Sequence, residues 1–192
     1  MDHATRPVAR GALRVVAGTA RGLRLDVPTG STTRPTADRV REAVFNALDS
    51  LGAVVGAQAL DAFAGSGALG IEALSRGADH VRFVEVEAAG RAVIEANLAT
   101  TGLTVRATVV GGDGGRTAAA GGPWDLVLLD PPYSFDRWDE LLTQAKTGLV
   151  PDGVVVVESD RELVLPAGLH PMRTKQYGGT VVTFATATGV PT

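Results

Sequence analysis

The sequence of 192 residues contains no cysteine, only three histidines and few aromatic residues, which make up 5% of the chain. Without cysteine, the chain cannot form a disulfide scaffold, a zinc–cysteine site or a cysteine nucleophile. The histidines are scattered without the spacing of metal ligands, so we expect no metal site. No apolar run reaches the ~20 residues of a membrane span, and no basic-then-apolar leader begins at Met1. We therefore expect a cytoplasmic protein with no membrane association and no obligate protein partner.

Acidic residues are scarce in the first 41 residues. This part has eight arginines and three acids, a net charge of +5, whereas the remainder has ten basic and eighteen acidic residues, a net charge of −8. A basic arm on an acidic body is typical of proteins that bind a polyanion, because each arginine that neutralises a phosphate releases counterions. Arginine also favours bidentate phosphate recognition. An ordinary solvated basic surface is the alternative.

Short apolar runs alternate with helical segments from residue 57 onward. The runs at 59–63, 81–86, 105–110, 126–129 and 154–157 predict buried strands, with helices at 68–76, 88–99 and 135–146. This alternation is typical of a parallel sheet that is covered on both faces. We therefore predict an α/β fold with a doubly wound, Rossmann-like sheet.

Different patterns precede and follow this alternation. Residues 13–27 predict a small basic hairpin, and an amphipathic helix begins near Thr36 or Asp38. Residues 172–177 and 180–185 flank a glycine pair and predict an antiparallel hairpin at the sheet edge. We expect a basic extension at 1–35 and a main domain at 36–192.

The first predicted strand runs into a glycine-rich segment, Asp61-Ala62-Phe63-Ala64-Gly65-Ser66-Gly67. Glycines here permit a tight turn and close approach of the backbone to a ligand. Glu85 lies at the end of the second strand, where a carboxylate can accept both ribose hydroxyls of an adenosine. Asp113 follows the third strand and is placed for an adenine amino group. The segment predicts a nucleotide-like cofactor, either a dinucleotide or S-adenosylmethionine (AdoMet).

The segment Asp130-Pro131-Pro132-Tyr133 follows the fourth predicted strand directly. Two prolines fix the backbone and remove two N–H donors, which leaves the Asp130 carboxylate and the Pro131 carbonyl as acceptors. Two acceptors can hold the protons of an exocyclic amine while Tyr133 stacks on the base. A rigid turn without chemistry is the alternative reading.

These motifs together resemble the RsmD family of AdoMet-dependent methyltransferases, whose members methylate N2 of a guanine in 16S ribosomal RNA. The resemblance rests on residues 34–46, on residues 63–76 and on the Asp-Pro-Pro-Tyr motif, and it extends over roughly residues 12–184. It implies AdoMet as cofactor and the small ribosomal subunit or its RNA as partner.

The resemblance also implies roles for individual residues. Catalysis would involve Asp130, Pro131, Pro132 and Tyr133. The cofactor would be bound by Thr36, Asp61, Phe63, Ala64, Gly65, Ser66, Gly67, Glu85 and Asp113. RNA would be bound by Arg10, Arg14, Arg21, Arg24, Arg34, Arg39, Arg41 and Lys175.

Three alternatives remain at the level of the residues. A nicotinamide oxidoreductase would share the glycine turn and Glu85, but it would give no reason for the Asp-Pro-Pro-Tyr motif. A non-catalytic RNA-binding module would use the basic arm alone. The motif by itself also permits methylation of adenine N6 or cytosine N4, and only the family resemblance selects guanine N2.

Overall fold

The computed structural model describes residues 13–28, 35–118 and 120–187, with side chains of the first helix described from Asp38 onward. The helices are α1 (Pro35–Ser50), α2 (Ala68–Ser75), α3 (Ala88–Thr101), α4 (Gly114–Thr117) and α5 (Trp138–Gly148). The strands are β1 (Gln58–Asp61), β2 (His80–Glu85), β3 (Ala107–Gly111), β4 (Trp124–Leu129), β5 (Leu149–Ser159), β6 (His170–Tyr177) and β7 (Thr180–Thr186).

The seven strands form one sheet in the order β3-β2-β1-β4-β5-β7-β6. Strands β1 to β5 are parallel to one another, whereas β7 is antiparallel to both β5 and β6. The strand order reverses between β1 and β4, and ligands of such sheets bind beyond the carboxyl ends of the strands at this point. The predicted doubly wound sheet and its terminal hairpin are confirmed.

Apolar side chains fill both faces of the sheet. One face packs against α1, α2 and α3, with Phe45, Ile71 and Leu98 all buried. The other packs mainly against α5, whose Leu141 and Leu142 are fully buried. Because both faces are covered, β1 and β4 consist mostly of buried residues, including Asp61 at the end of β1.

The amino-terminal hairpin packs into the first of these faces, with Leu13, Val15, Leu25 and Val27 buried in it. Arg14 and Arg24 form an antiparallel bridge across the hairpin. These contacts attach the hairpin to the main body, and the boundary between an extension and a main domain at residue 35 stays a prediction.

A buried carboxylate fixes the hairpin to α2. Glu72 is fully buried and accepts hydrogen bonds from the backbone N–H groups of Val16, at 2.8 Å, and Ala17, at 3.0 Å. Arg76 donates to the same carboxylate at 2.7 Å. Gly18 lies so close to the Ser75 carbonyl, with a φ of +81°, that a β-carbon would overlap it.

Several predicted boundaries differ from the structure. Strand β3 begins two residues later than the apolar run, because Thr104–Arg106 form a 3₁₀ turn. Helix α5 begins only at Trp138, since the segment before it contributes to the functional cleft. The short helix α4 has almost no apolar residues, so its sequence carries no periodic signal.

Candidate active site

A cavity of about 650 Å³ opens at the carboxyl ends of β1, β2, β3 and β4. Its volume is in the range of cofactor sites. The lining residues are Ala62, Phe63, Ala64, Gly65, Ser66, Ala68, Leu69, Val84, Glu85, Val86, Gly112, Asp113, Gly114, Asp130, Pro132, Phe135 and Arg137. The glycine-rich segment and the Asp-Pro-Pro-Tyr motif therefore contribute to one cavity.

The glycine-rich segment forms a tight turn between β1 and α2. Gly65 and Gly67 have φ angles of +53° and +79°, which side chains with a β-carbon rarely adopt. The Gly67 N–H donates to the Ala64 carbonyl, and the Ala64 N–H donates to the Val84 carbonyl of β2. Five residues of the segment, 62–66, line the cavity, whereas Gly67 does not. A β-carbon at Gly67 would lie only 3.2 Å from the Ile94 side chain of α3.

Asp61 lies at the base of this turn and is 1% exposed. Its Oδ2 accepts a hydrogen bond from the Gly70 N–H at 2.9 Å, whereas its buried Oδ1 has no protein donor. Burial raises the pKa of Asp61 to about 7, with a further contribution from the charges of Asp130 and Glu85. A buried acceptor without a donor is costly, but Asp61 is not among the residues that line the cavity.

The Glu85 carboxylate is held from two sides at the edge of the cavity. Its Oε2 accepts from the Gly65 N–H at 2.8 Å, and its Oε1 accepts from the Glu87 N–H at 2.8 Å. Each oxygen retains a second lone pair, so the oriented group can still accept two hydroxyl donors. This geometry is compatible with the predicted ribose contact.

Asp113 caps the amino terminus of α4 and faces the cavity. Its Oδ1 accepts from the Gly115 N–H at 2.9 Å, and its Oδ2 accepts from Arg137 at 2.7 Å. The hydrogen bond from Arg137 holds the pKa of Asp113 below its ordinary value. Sequence reasoning missed Arg137, because an arginine after a turn carries no motif.

Asp130 lies in the wall of the cavity directly after β4. Solvent reaches it through the open cleft, yet the surrounding protein removes much of its hydration and raises its pKa to about 6. Pro132 also lines the cavity, whereas Pro131 is buried. The Tyr133 side chain is 60% exposed and is not among the lining residues.

Sequence reasoning also missed Glu158, which completes an acid cluster with Asp61 and Asp130. Leu129 of β4 pairs with Val157 of β5. Asp130 and Glu158 are the next residues of these two chain segments, so they lie side by side. Burial, with the charges of Asp130 and Asp61, raises the pKa of Glu158 to about 8. Near neutral pH, Asp130 is therefore mostly ionised and Glu158 mostly protonated. Glu158 directly follows the four consecutive valines 154–157, a position that is also typical of the polar end of a buried strand.

An aromatic group closes the cavity on the side of α5. The Phe63 and Phe135 rings meet edge to face with their centroids 5.4 Å apart, and Phe135 packs in the same way on Trp138. Phe63 was a predicted cofactor contact, and Phe135 was not, because a single phenylalanine after the motif is also typical of core packing. Both provide an apolar wall for a flat ring.

Asn97 links the hairpin to the glycine-rich turn and was likewise missed. Its side chain is 1% exposed, accepts from the Asp26 N–H at 2.8 Å, and donates to the Asp26 and Ser66 carbonyls, both at 2.9 Å. The return segment of the hairpin therefore lies beside the cofactor turn.

The predicted RNA contacts divide into several groups. Arg14, Arg21, Arg24 and Arg39 are exposed, and so is Lys175 on β6. Lys175 pairs with Val182, which pairs with Glu158, so the terminal hairpin turn lies at the same edge of the sheet as the acid cluster. Arg10 and Arg34 lie outside the described residues, and so does the side chain of Thr36, whose backbone belongs to α1.

Arg41 does not fit the predicted phosphate contact. Its side chain is only 4% exposed, donates to Asp38 at 3.3 Å and to the Arg14 carbonyl, and lies 3.8 Å from Glu72. The helical stripe of α1 places this position against the hairpin, which the sequence pattern did not reveal. Arg41 is therefore an internal link between α1, α2 and the hairpin rather than an exposed cation.

Membrane-spanning helices and clusters of metal-binding side chains are both absent from the part of the chain that the structure describes. Among residues 13–28, 35–118 and 120–187, no helix has the length and apolar character needed to cross a membrane. Within the same ranges, no group of histidine, cysteine or acidic side chains is arranged to hold a metal ion.

Comparison with known proteins gives consistent relatives. "Ribosomal RNA small subunit methyltransferase D" of Escherichia coli K12 is 38% identical over 158 residues, which cover 81% of this chain and 79% of that protein. The protein of the same name from Haemophilus influenzae is 32% identical and covers 93% of this chain and 95% of its own length. The solved structure named "Putative methyltransferase yhhF" from Escherichia coli is 36% identical, with a TM-score of 0.82 over 94% of this chain and all of that one.

A match to one protein family extends over nearly all of the described residues. Residues 13–186 match the family described as "Conserved hypothetical protein 95". The match includes the hairpin, the glycine-rich turn, the acid cluster and the terminal hairpin, and it confirms the resemblance derived from the motifs. The chain belongs to this family, the RsmD family.

Proposed function

We propose that this protein transfers a methyl group from AdoMet to the exocyclic N2 of a guanine in 16S ribosomal RNA. One observation carries the proposal: the Asp130 carboxylate and the glycine-rich turn with Glu85 line the same cavity. A cofactor and an amine acceptor can therefore meet there. The names of the relatives support ribosomal RNA as the substrate class.

The residues of the cavity fit AdoMet. Glu85 is oriented to accept the two ribose hydroxyls, and Phe63 and Phe135 form an apolar wall suited to the adenine ring. A nicotinamide cofactor would leave Asp130 without a role.

AdoMet supplies an electrophilic methyl group on a sulfonium. Asp130 and the Pro131 carbonyl hold the protons of the guanine amine, so that its lone pair points at the methyl carbon. The N–C bond forms as the C–S bond breaks, and the sulfur retains the electron pair. The amine becomes acidic only as the new bond forms, so Asp130 accepts its proton late in the reaction.

The guanine must lie outside a paired helix, because N2 is not accessible to a methyl donor inside the stack. The exposed Tyr133, which follows the lining residue Pro132 in the chain, would stack on such a base. The exposed arginines of the hairpin and Lys175 supply positive charge for the flanking phosphates. We propose that the substrate is the small ribosomal subunit or its RNA, and that the reaction takes place in the cytoplasm.

The direct test uses small subunits from a bacterial strain that lacks its own RsmD-family enzyme. The protein is incubated with them and methyl-labelled AdoMet, and the nucleosides of the RNA are identified by mass spectrometry. We expect N2-methylguanosine with the wild type and none with Asp130→Ala. Absence of label on RNA would refute the proposal, and N6-methyladenosine or N4-methylcytidine would refute the guanine assignment.

Cofactor binding can be tested separately by titration calorimetry with S-adenosylhomocysteine. We expect Glu85→Ala to weaken binding about tenfold or more, since two hydrogen bonds to a carboxylate are lost. Glu87→Ala is the matched control, because the Glu87 side chain is exposed and does not line the cavity. Equal affinities of the two variants would contradict the ribose assignment.

A further inference from the structure

Arg137 is a charged side chain in the cavity wall that the methyl-transfer chemistry does not use. Its guanidinium donates to Asp113 at 2.7 Å, lies 3.6 Å from Glu140, and is 5.4 Å from the centroid of the Phe135 ring. Arg137, Asp113 and Phe135 all line the cavity. The three side chains therefore form one continuous wall, which we call the base wall.

The base wall joins two chain segments that carry different parts of the site. Asp113 follows β3, whereas Phe135 and Arg137 follow the motif that contains Asp130. The side chains of Arg137 and Asp113 are 36% and 37% exposed. An ion pair of this exposure adds little to folding stability. Its main effect is local: it fixes the direction of a carboxylate that faces the cavity.

The two oxygens of Asp113 are both held by protein donors. Gly115 binds Oδ1 and Arg137 binds Oδ2, and each oxygen retains one lone pair for a further donor. The carboxylate is therefore ionised and oriented before any ligand enters. A 6-amino purine supplies an N–H donor to such a group, whereas a 6-oxo purine presents an oxygen that the carboxylate repels.

We propose that Arg137 is a positioning residue for the base of the cofactor: by orienting Asp113, it makes the cavity select a 6-amino purine over a 6-oxo purine. This inference rests on the proposed function, since it takes the cavity as the AdoMet site. It assigns the adenine specificity to a pair of residues on two segments rather than to Asp113 alone.

The test compares the affinities of S-adenosylhomocysteine and S-inosylhomocysteine by titration calorimetry. We expect the wild type to prefer the adenosyl compound at least about tenfold. Arg137→Ala should reduce this ratio to about threefold or less, and Arg137→Lys should restore part of it, since the charge returns without the planar fork. The ratio is informative because a general loss of structure would weaken both ligands equally.

Arg116→Ala is the matched control. Arg116 also approaches Asp113, at 3.7 Å, but it is 72% exposed and does not line the cavity. We expect this variant to keep the wild-type ratio. Asp113→Asn provides a second variant for the case in which Arg137→Ala does not fold, and it should also lower the ratio.

The outcomes distinguish this inference from the proposed function. If the wild type binds both compounds equally, or if Arg137→Ala and Asp113→Asn keep the wild-type ratio, the role of Arg137 is overturned while the AdoMet site stands. If Arg116→Ala lowered the affinity ratio as much as Arg137→Ala, the role of Arg137 would also be overturned. Positive charge near Asp113, rather than the base wall, would then account for the selectivity. If the wild type binds neither compound, the AdoMet site itself is refuted.

Discussion

Methyl transfer should depend on pH through Asp130. The structure raises the pKa of this carboxyl from 3.8 to about 6, and only the ionised form can accept a proton from the amine. At pH 5, about one tenth of Asp130 is ionised, so kcat/KM for RNA should be about one tenth of its plateau value. Above pH 7, Asp130 is almost fully ionised, so its titration should raise kcat/KM no further.

The assay measures initial rates of labelled-methyl incorporation into small subunits from pH 5 to pH 8, at saturating AdoMet. Saturation limits any contribution from Asp61, whose pKa of about 7 is expected to change when the cofactor binds. Asp130→Asn should lower the rate by about 100-fold or more and remove the acid limb. Unchanged AdoMet affinity in this variant would locate the defect in the chemical step.

Glu158→Gln is the companion variant, because Glu158 is the neighbouring titratable group of the acid cluster. Its pKa of about 8 means that it is already protonated at pH 6, and a glutamine is a neutral replacement for it. We therefore expect the inflection near pH 6 to remain in Glu158→Gln. A wild-type rate that stays level down to pH 5, or an inflection that persists in Asp130→Asn, would refute the assignment to Asp130.

Three further predictions follow from the structure. The acid cluster has raised pKa values of about 6, 7 and 8, so the folded chain binds more protons than the unfolded chain. Stability should therefore fall as pH rises, with a melting temperature several degrees higher at pH 5.5 than at pH 8.5; a rise with pH would contradict this. Gly18→Ala should destabilise by about 2 kcal/mol or more because of its overlap with Ser75, and more than Gly22→Ala, which has the same φ but open space around it. Equal melting temperatures would refute the close-approach argument. Replacing Arg14 and Arg21 with alanine should reduce the slope of log affinity for RNA against log salt by about 1 to 2, and an unchanged slope would exclude them as phosphate contacts.

The fold and the position of the cavity could be predicted from the sequence. The predicted runs 59–63 and 126–129 correspond to β1 and β4, whose residues are mostly buried because both faces of the sheet are covered. The glycine-rich turn and the Asp-Pro-Pro-Tyr motif follow these two strands directly. Residues after parallel strands gather at one edge of the sheet, so their proximity follows from topology. The strand order then brings β1 beside β4.

The remaining features depend on long-range contacts that no local pattern encodes. Asn97 is 71 residues from its partner Asp26, and Arg137 is 24 residues from Asp113. Arg41 belongs to the same arginine-rich stretch as the exposed cations, and only the packing of α1 against the hairpin separates it from them. Glu158 can be identified as a site residue only from the register of β4 and β5, which places it beside Asp130.

The most direct test of the shared cavity is a crystal structure of the protein with S-adenosylhomocysteine. We predict that the ribose contacts Glu85, that the purine lies along Phe135, and that the sulfur faces the Asp130 carboxylate across an open space large enough for a base. A ligand bound elsewhere, or a sulfur separated from Asp130 by intervening protein, would contradict the account.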